Sequence, residues 1–183
     1  KKKLNENELE NLILQIKQKK FNGVNVTVPF KKKIIPFLDK VTAESKATGS
    51  VNTIYLSNNK VTGHNTDIEG FKISIEKSEF DPSGKKVLIL GAGGVVSSII
   101  YALNLMRVSK IIVSNRTKTK TEELKNLFKN LDIVEWGELP DFDMIINATS
   151  LGLKKDDKID HNFSSIGKNK FFYDVIYNPK ETN

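Results

Sequence analysis

The 183 residues contain no cysteine, one tryptophan, two methionines, two histidines and five prolines. Without cysteine there is neither a disulfide framework nor a thiolate metal site. The two histidines, His64 and His161, lie far apart in the chain, so the sequence carries no metal-ligating cluster and no metal is expected. No run of 18 apolar residues occurs that would span a bilayer, and no charged–apolar–small leader opens the chain. The expectation is a cytoplasmic protein that does not engage a membrane. Arginine is almost missing as well. Lysine and arginine together number 29 against 22 acidic residues, for a net charge of +7, yet Arg107 and Arg116 are the only arginines. Base readout favours arginine forks and stacked aromatics, and the scattered lysines form no stripe with interleaved aromatics, so nucleic acid is not an expected partner. The positive charge instead suits solvated faces, with some attraction for phosphates or a carboxylate.

What is present reads as two α/β lobes. Leu9, Leu12, Ile13 and Ile16 follow i, i+3, i+4, i+7 spacing, the mark of a helix with one buried face that Asn5 or Asn7 would cap. Residues 21–29 alternate, are rich in β-branched side chains and stop at Pro29, which predicts a strand. A helix is expected over about 36–46. A hairpin is expected from 50–57 and 60–62 around Asn58-Asn59, and a helix from Asp67 through Ile68, Phe71 and Ile75. Asp81-Pro-Ser-Gly84 is the best linker candidate. The expected division is a substrate lobe over 1–77, a linker over 78–84 and a Rossmann-like lobe over 85–183. Beyond the linker, apolar runs at 86–90, 111–114, 144–147 and 171–176 alternate with helical patterns. These include Val96, Ile99, Ile100 and Leu103, then Leu124, Leu127, Phe128 and Leu131. Strands buried on both faces and separated by helices predict a parallel sheet.

Val87-Leu-Ile-Leu-Gly91-Ala-Gly93-Gly94 places a glycine-rich turn between a strand and a helix. Such a turn lets backbone N–H groups at a helix N-terminus approach a pyrophosphate. Glycines also serve tight strand–helix packing, and Val96 stands where the fingerprint has Gly or Ala. At the end of the next strand an NAD enzyme usually carries an acidic residue for the ribose. Here stands Ser114-Asn115-Arg116-Thr117, then Lys120. A guidinium-bearing side chain there can stack on adenine and pair with a 2′-phosphate, so NADP is favoured over a merely solvated strand end.

Seven phrases in order carry a resemblance. Asn25-Val-Thr27-Val-Pro29-Phe-Lys31, Gly49-Ser-Val-Asn52-Thr53 and Gly63-His-Asn65-Thr66-Asp67 precede the linker. Gly91-Ala-Gly-Gly94, Asn115-Arg-Thr117, Ile146-Asn147-Ala-Thr149-Ser150-Leu-Gly152 and Asp174-Val-Ile-Tyr177-Asn-Pro179 follow it. Over about 21–182 the chain resembles the shikimate dehydrogenase family, which interconverts 3-dehydroshikimate and shikimate with NADP on the way to chorismate and the aromatic amino acids. The resemblance implies a catalytic pair, Lys31 and Asp67. It also implies substrate contacts from Thr27, Asn52 and Tyr177, and cofactor contacts from Gly91, Ala92, Gly93, Gly94, Val95, Asn115, Arg116, Thr117, Lys120, Thr149 and Val175. Similar enzymes commonly have arginine where Ser97 and Lys120 stand here. The resemblance further implies an initial strand with a serine-rich loop for the substrate carboxylate, and closing helices that supply a glutamine. The 183 residues carry neither, so weak substrate binding by the chain alone is the expectation.

The residue types suit that chemistry on their own terms. Hydride delivery to a ketone builds negative charge on oxygen, which needs a proton or a cation as it forms. A lysine beside a carboxylate can hold, donate or accept that proton. Lys31 taken alone, followed by Lys32 and Lys33, would read as solvated, and Asp67 would serve equally as a helix cap. His64 is expected in a loop beside the site, and Trp136 in core or rim packing. Asp156-Asp157 and Glu122-Glu123 read as solvated faces, the latter at a helix start. The same residues leave two rivals, a quinate/shikimate dehydrogenase that uses NAD and a silent module that senses shikimate or NADP. The small-molecule partner is shikimate or 3-dehydroshikimate, with the chain a monomer or homodimer.

Overall fold

The computed structural model describes residues 3–154, 157 and 159–178. The chain divides into two compact units, Lys1–Phe71 and Lys72–Asn183.

The first unit is built on a four-stranded mixed sheet of order β1-β3-β4-β2. Helix α1 (Leu9–Lys17) follows a short 3-10 turn, at whose start the Asn5 N–H donates to Glu8 Oε2 at 2.8 Å. Its predicted stripe is real: Leu9, Ile13 and Ile16 are buried in one core with Ile34, Val51, Ile54 and Val61. Strand β1 covers only Gly23–Asn25, less than the predicted 21–29, and leads to the four-residue helix α2 (Phe30–Lys33). The Val28–Pro29 peptide bond between them is cis.

No single helix runs over 36–46. A 3-10 turn (Ile35–Phe37), strand β2 (Lys40–Val41) and helix α3 (Ala43–Thr48) occupy that stretch. Tertiary pairing wins over the apolar periodicity: Asp39 N–H donates to the Val61 carbonyl at 3.0 Å, and the Val61 N–H donates to Asp39 Oδ2 at 2.8 Å. Both backbone groups of Val61 are thus bonded to Asp39, and the chain continues extended and parallel to β4. Strands β3 (Thr53–Ser57) and β4 (Lys60–His64) form the expected hairpin. Asn58 (φ 50°) and Asn59 (φ 57°) supply the two left-handed residues that such a tight turn demands. His64 is the last residue of β4, paired with Thr53, so it is not in a loop; the hairpin simply runs two residues beyond its apolar part. Helix α4 (Asp67–Lys77) matches the expectation.

The second unit holds a five-stranded all-parallel sheet of order β7-β6-β5-β8-β9. Strands β5 (Lys86–Leu90), β6 (Lys110–Ser114) and β8 (Met144–Asn147) are almost wholly buried, as continuous apolar runs require. Helices α5 (Val96–Leu105) and α6 (Lys118–Leu127) and strand β9 (Phe171–Asp174) complete the alternation. Leu131 does not continue the α6 stripe. It opens β7 (Leu131–Val134), which pairs with β6 at the sheet edge. Glu122 and Glu123 lie inside α6 rather than at its start, and both are exposed. Asp156 and Pro179 lie outside the described residues.

Among the described residues no helix is long and apolar enough to cross a membrane. Nor do three or more His, Asp or Glu side chains gather there as a metal site would require.

Candidate functional site

In the first unit, helix α2 and the start of helix α4 bring an ammonium and a carboxylate together. Helix α2 carries Lys31, whose backbone carbonyl accepts from the Val51 N–H at 2.9 Å. Asp67 opens α4, and its backbone N–H donates to Asn65 Oδ1 at 3.0 Å. Lys31 Nζ then donates to Asp67 Oδ2 at 2.7 Å. The two side chains keep 16% and 22% of their surface accessible, which is dry enough to hold a fixed geometry and open enough to meet a ligand.

Asn52 organises this pair. Its Nδ2 donates to Asp67 Oδ1 at 2.8 Å and to Thr66 Oγ1 at 3.0 Å. Its Oδ1 accepts from the Thr66 N–H at 3.0 Å and from Thr53 Oγ1 at 2.9 Å. On the backbone, the Val26 N–H donates to the Asn52 carbonyl and the Asn52 N–H donates to His64. One residue therefore joins β1, β3 and the β4–α4 loop. Asp67 has both carboxylate oxygens bonded, so it is fixed as an acceptor, and Asn65 supplies an oxygen to the helix start. Thr27 sits in an exposed turn just ahead of α2. Thr66 and Asn65 are the contributors that residue-type reasoning did not single out. Their signal was the Asn-Thr-Asp run itself, in which short polar side chains bond their own loop.

In the second unit, register aligns the cofactor candidates. Leu90 lies level with Ser114 and with Asn147, Ser114 with Val134, and Asn147 with Asp174. The segments 91–95, 115–120, 148–151 and 175–177 all follow from that one edge of the sheet, the carboxyl end, where ligands bind in open α/β sheets. Gly91 has φ +106°, and a Cβ there would lie 2.7 Å from the Ala148 carbonyl oxygen; only glycine lets the turn pass so close to β8. Ala92 is half-buried, Gly93 and Gly94 are exposed, and Val95 precedes α5 with no side-chain cap bond. The Val96 and Ser98 N–H groups already donate to the Gly93 and Val95 carbonyls at 3.0 Å, so it is the bare, exposed Gly93 and Gly94 that leave room for a pyrophosphate at this helix N-terminus. Val96 is fully buried, so the sixth fingerprint position is spent on packing.

Asn115 Nδ2 donates to the Thr117 carbonyl at 2.9 Å, shaping the loop ahead of α6. Arg116 and Lys120 are exposed. Lys118 is engaged elsewhere: its ammonium bonds Glu135 at 2.7 Å, and that bond raises its pKa above the ordinary lysine value. Thr149 is held by Asn147, whose Oδ1 accepts from the Thr149 N–H at 3.1 Å and from its hydroxyl at 2.7 Å. Asn147 Nδ2 donates onward to the Leu151 carbonyl and to Asp174 Oδ2, and the Val175 N–H donates to the Asn147 carbonyl at 3.0 Å. Tyr177, beyond β9, is 91% exposed. Asn147 and Asp174 thus position Thr149 and Val175, a role that only the strand register reveals.

Two family models match. One described as the shikimate dehydrogenase substrate binding domain covers residues 1–54, and one described as shikimate / quinate 5-dehydrogenase covers residues 74–175. A shikimate dehydrogenase (NADP(+)) of Pelagibacter ubique is 59% identical over 98% of this chain and 68% of its own length. One from Dictyoglomus thermophilum is 41% identical over 93% of this chain and 64% of its own. The crystal structure of shikimate dehydrogenase from Aquifex aeolicus superposes with a TM-score of 0.86 at 39% identity, covering 95% of this chain and 65% of that one. The chain spans about two thirds of the length of these relatives. By sequence, by its two sheets and by the loops that hang from them, it belongs to the shikimate dehydrogenase family.

Proposed function

We propose that the chain serves the reversible NADP-dependent reduction of 3-dehydroshikimate to shikimate, with Lys31 and Asp67 as its acid–base pair. The observation that carries this reading is the Lys31–Asp67 contact at 2.7 Å, held from behind by Asn52. NADP suits the residues present because exposed glycines lead into the N-terminus of α5, which no side chain caps, and Arg116 makes no ion pair among the described residues. When bound, the nicotinamide supplies the hydride that reaches the carbonyl carbon. Lys31 supplies the proton for the carbonyl oxygen in that direction and takes it back in the other. Asp67 keeps the ammonium oriented and is itself oriented by Asn52, so neither group must reorganise as charge moves. Thr27, Asn52 and Tyr177 are assigned to the substrate hydroxyls and its surroundings. The phosphates are assigned to residues 91–95, 115–117 and Lys120, with Thr149 and Val175 toward the nicotinamide. We assign the substrate role to residues 1–77 and the cofactor role to 85–183, and place the protein in the cytoplasm as a monomer or homodimer.

Oxidation of shikimate, followed at the nicotinamide absorbance with NADP and with NAD, tests the assignment. Turnover with NADP is expected to dominate. Lys31→Ala should lower turnover by about 10²- to 10⁴-fold, the usual worth of a positioned acid or base, with cofactor affinity little changed. Wild-type turnover in that variant removes Lys31 from the mechanism. Tight shikimate binding without turnover would make the protein a sensor.

A further inference from the structure

Trp136 is the only tryptophan in the chain and belongs to none of the phrases that carry the family resemblance. It follows β7, just past the same sheet edge from which residues 115–120 depart. The turn that presents it is fixed at both ends. The Glu138 N–H donates to the Glu135 carbonyl at 3.2 Å, Gly137 takes φ +100°, and Ser114 Oγ donates to that same Glu135 carbonyl at 3.0 Å. Behind the indole lies the core of Leu88, Leu90, Ile112, Phe142 and Ile145, and the His161 ring meets it edge-on at 4.7 Å. In front, the Arg116 guanidinium carbon lies 5.9 Å from the ring centroid. Trp136 is thus backed by packed side chains, while Arg116 is exposed and has no carboxylate partner among the described residues.

We propose that Trp136 is a specificity-determining positioning residue for the 2′-phosphate of NADP, acting by holding the Arg116 guanidinium over its indole face. The inference rests on the assignment of Arg116 to that phosphate. An exposed arginine samples many rotamers, and each must be given up when its fork closes on an anion. Attraction between the guanidinium and the indole π-face restricts that sampling beforehand and leaves the N–H edges free for bidentate pairing. Lys118, the nearest basic residue in sequence, is already bonded to Glu135, so Arg116 and the exposed Lys120 are the cations of this loop that face a phosphate, and Arg116 alone brings a planar fork whose orientation matters.

The test is equilibrium binding of adenosine 2′,5′-bisphosphate and of adenosine 5′-monophosphate to the full chain. It compares wild type with Trp136→Leu, Trp136→Phe, Arg116→Ala and the double variant Arg116→Ala/Trp136→Leu. Trp136→Leu should weaken the bisphosphate by about 3- to 10-fold, the range of an exposed to partly desolvated cation–π contact, and the monophosphate by less than about twofold. Trp136→Phe should recover most of the loss, and the double variant should bind no worse than Arg116→Ala. In wild type the bisphosphate, but not the monophosphate, should change the emission of this single tryptophan when it is excited selectively over the four tyrosines, a readout that needs no variant. Equal weakening of both nucleotides, additive losses in the double variant, or unchanged wild-type emission would each overturn the proposal. If wild type does not prefer the bisphosphate and Arg116→Ala has no effect, the assignment of Arg116 to the 2′-phosphate has failed, and the role of Trp136 falls with it.

Discussion

Replacing Asn52 by alanine should cost far more than the loss of one surface amide. The side chain is 8% exposed and its amide joins Asp67, Thr66 and Thr53 at 2.8–3.0 Å. Truncation removes a hydrogen bond to a carboxylate, worth about 1.5–3 kcal/mol. It also strips the acceptor from the Thr66 N–H and the Thr53 hydroxyl, each a further ~1 kcal/mol or more when water cannot replace it. Water reaches part of the site, because the Asp67 side chain keeps 22% of its surface accessible, so the lower end of each range applies and the expected loss is about 3.5 kcal/mol. With a urea dependence of about 2 kcal/mol per molar, the unfolding midpoint should fall by about 1.75 M. Asn52→Asp keeps the outline but turns a donor into an acceptor facing Asp67, and should cost at least as much at pH 8. Equilibrium urea unfolding, followed by far-ultraviolet circular dichroism, makes the measurement. A midpoint shift below about 0.25 M for Asn52→Ala, corresponding to ~0.5 kcal/mol, would refute the claim that this amide holds the segments around Thr53 and Asp67 together.

Two other outcomes follow from the geometry. Gly91→Ala must place a Cβ 2.7 Å from the Ala148 carbonyl oxygen at φ +106°; strain and displacement together should remove about 3 kcal/mol and lower the thermal midpoint by about 10 °C, read by calorimetry. The Lys17 ammonium and then the Val61 N–H hold the Asp39 carboxyl below its usual pKa. The stability this gives is present above the unfolded carboxyl value and is lost as pH falls through the lowered one. Asp39→Asn should therefore destabilise the protein at pH 7 and show a shallower acid decline in unfolding free energy between about pH 5 and pH 2.

Strands β5, β6 and β8 were legible because both of their faces are buried, so their residues form unbroken apolar runs. The edge escaped notice. β7 reads Leu-Asp-Ile-Val with Asp132 and Ile133 exposed, and an edge strand needs neither a continuous nor a strictly alternating pattern. Trp136 is legible as core or rim packing, and it does pack on the core, but its approach to Arg116, twenty positions earlier, depends on the β6–β7 pairing. β2 was hidden for a related reason: two residues become a strand only because Asp39 bonds Val61 from a different part of the chain. Lys31 and Asp67 stood out through the ordered phrases around them, and composition alone would have left both as solvent-facing charges. The bond between them, and the bracing from Asn52, needed coordinates.

Ser114 fixes the main chain at the end of β6 independently of the side chains that follow it. Its carbonyl accepts from the Gly91 N–H at 2.7 Å and its hydroxyl donates to the Glu135 carbonyl at 3.0 Å, so three neighbouring loops are tied together through their main chains. The exposed side chains at 116, 118 and 120 take no part in these main-chain ties, so substitutions there leave the turn around Gly91 in place. On the proposed cofactor assignment, a change between the phosphorylated and the plain dinucleotide needs only those exposed side chains to change, with the main chain kept as it is.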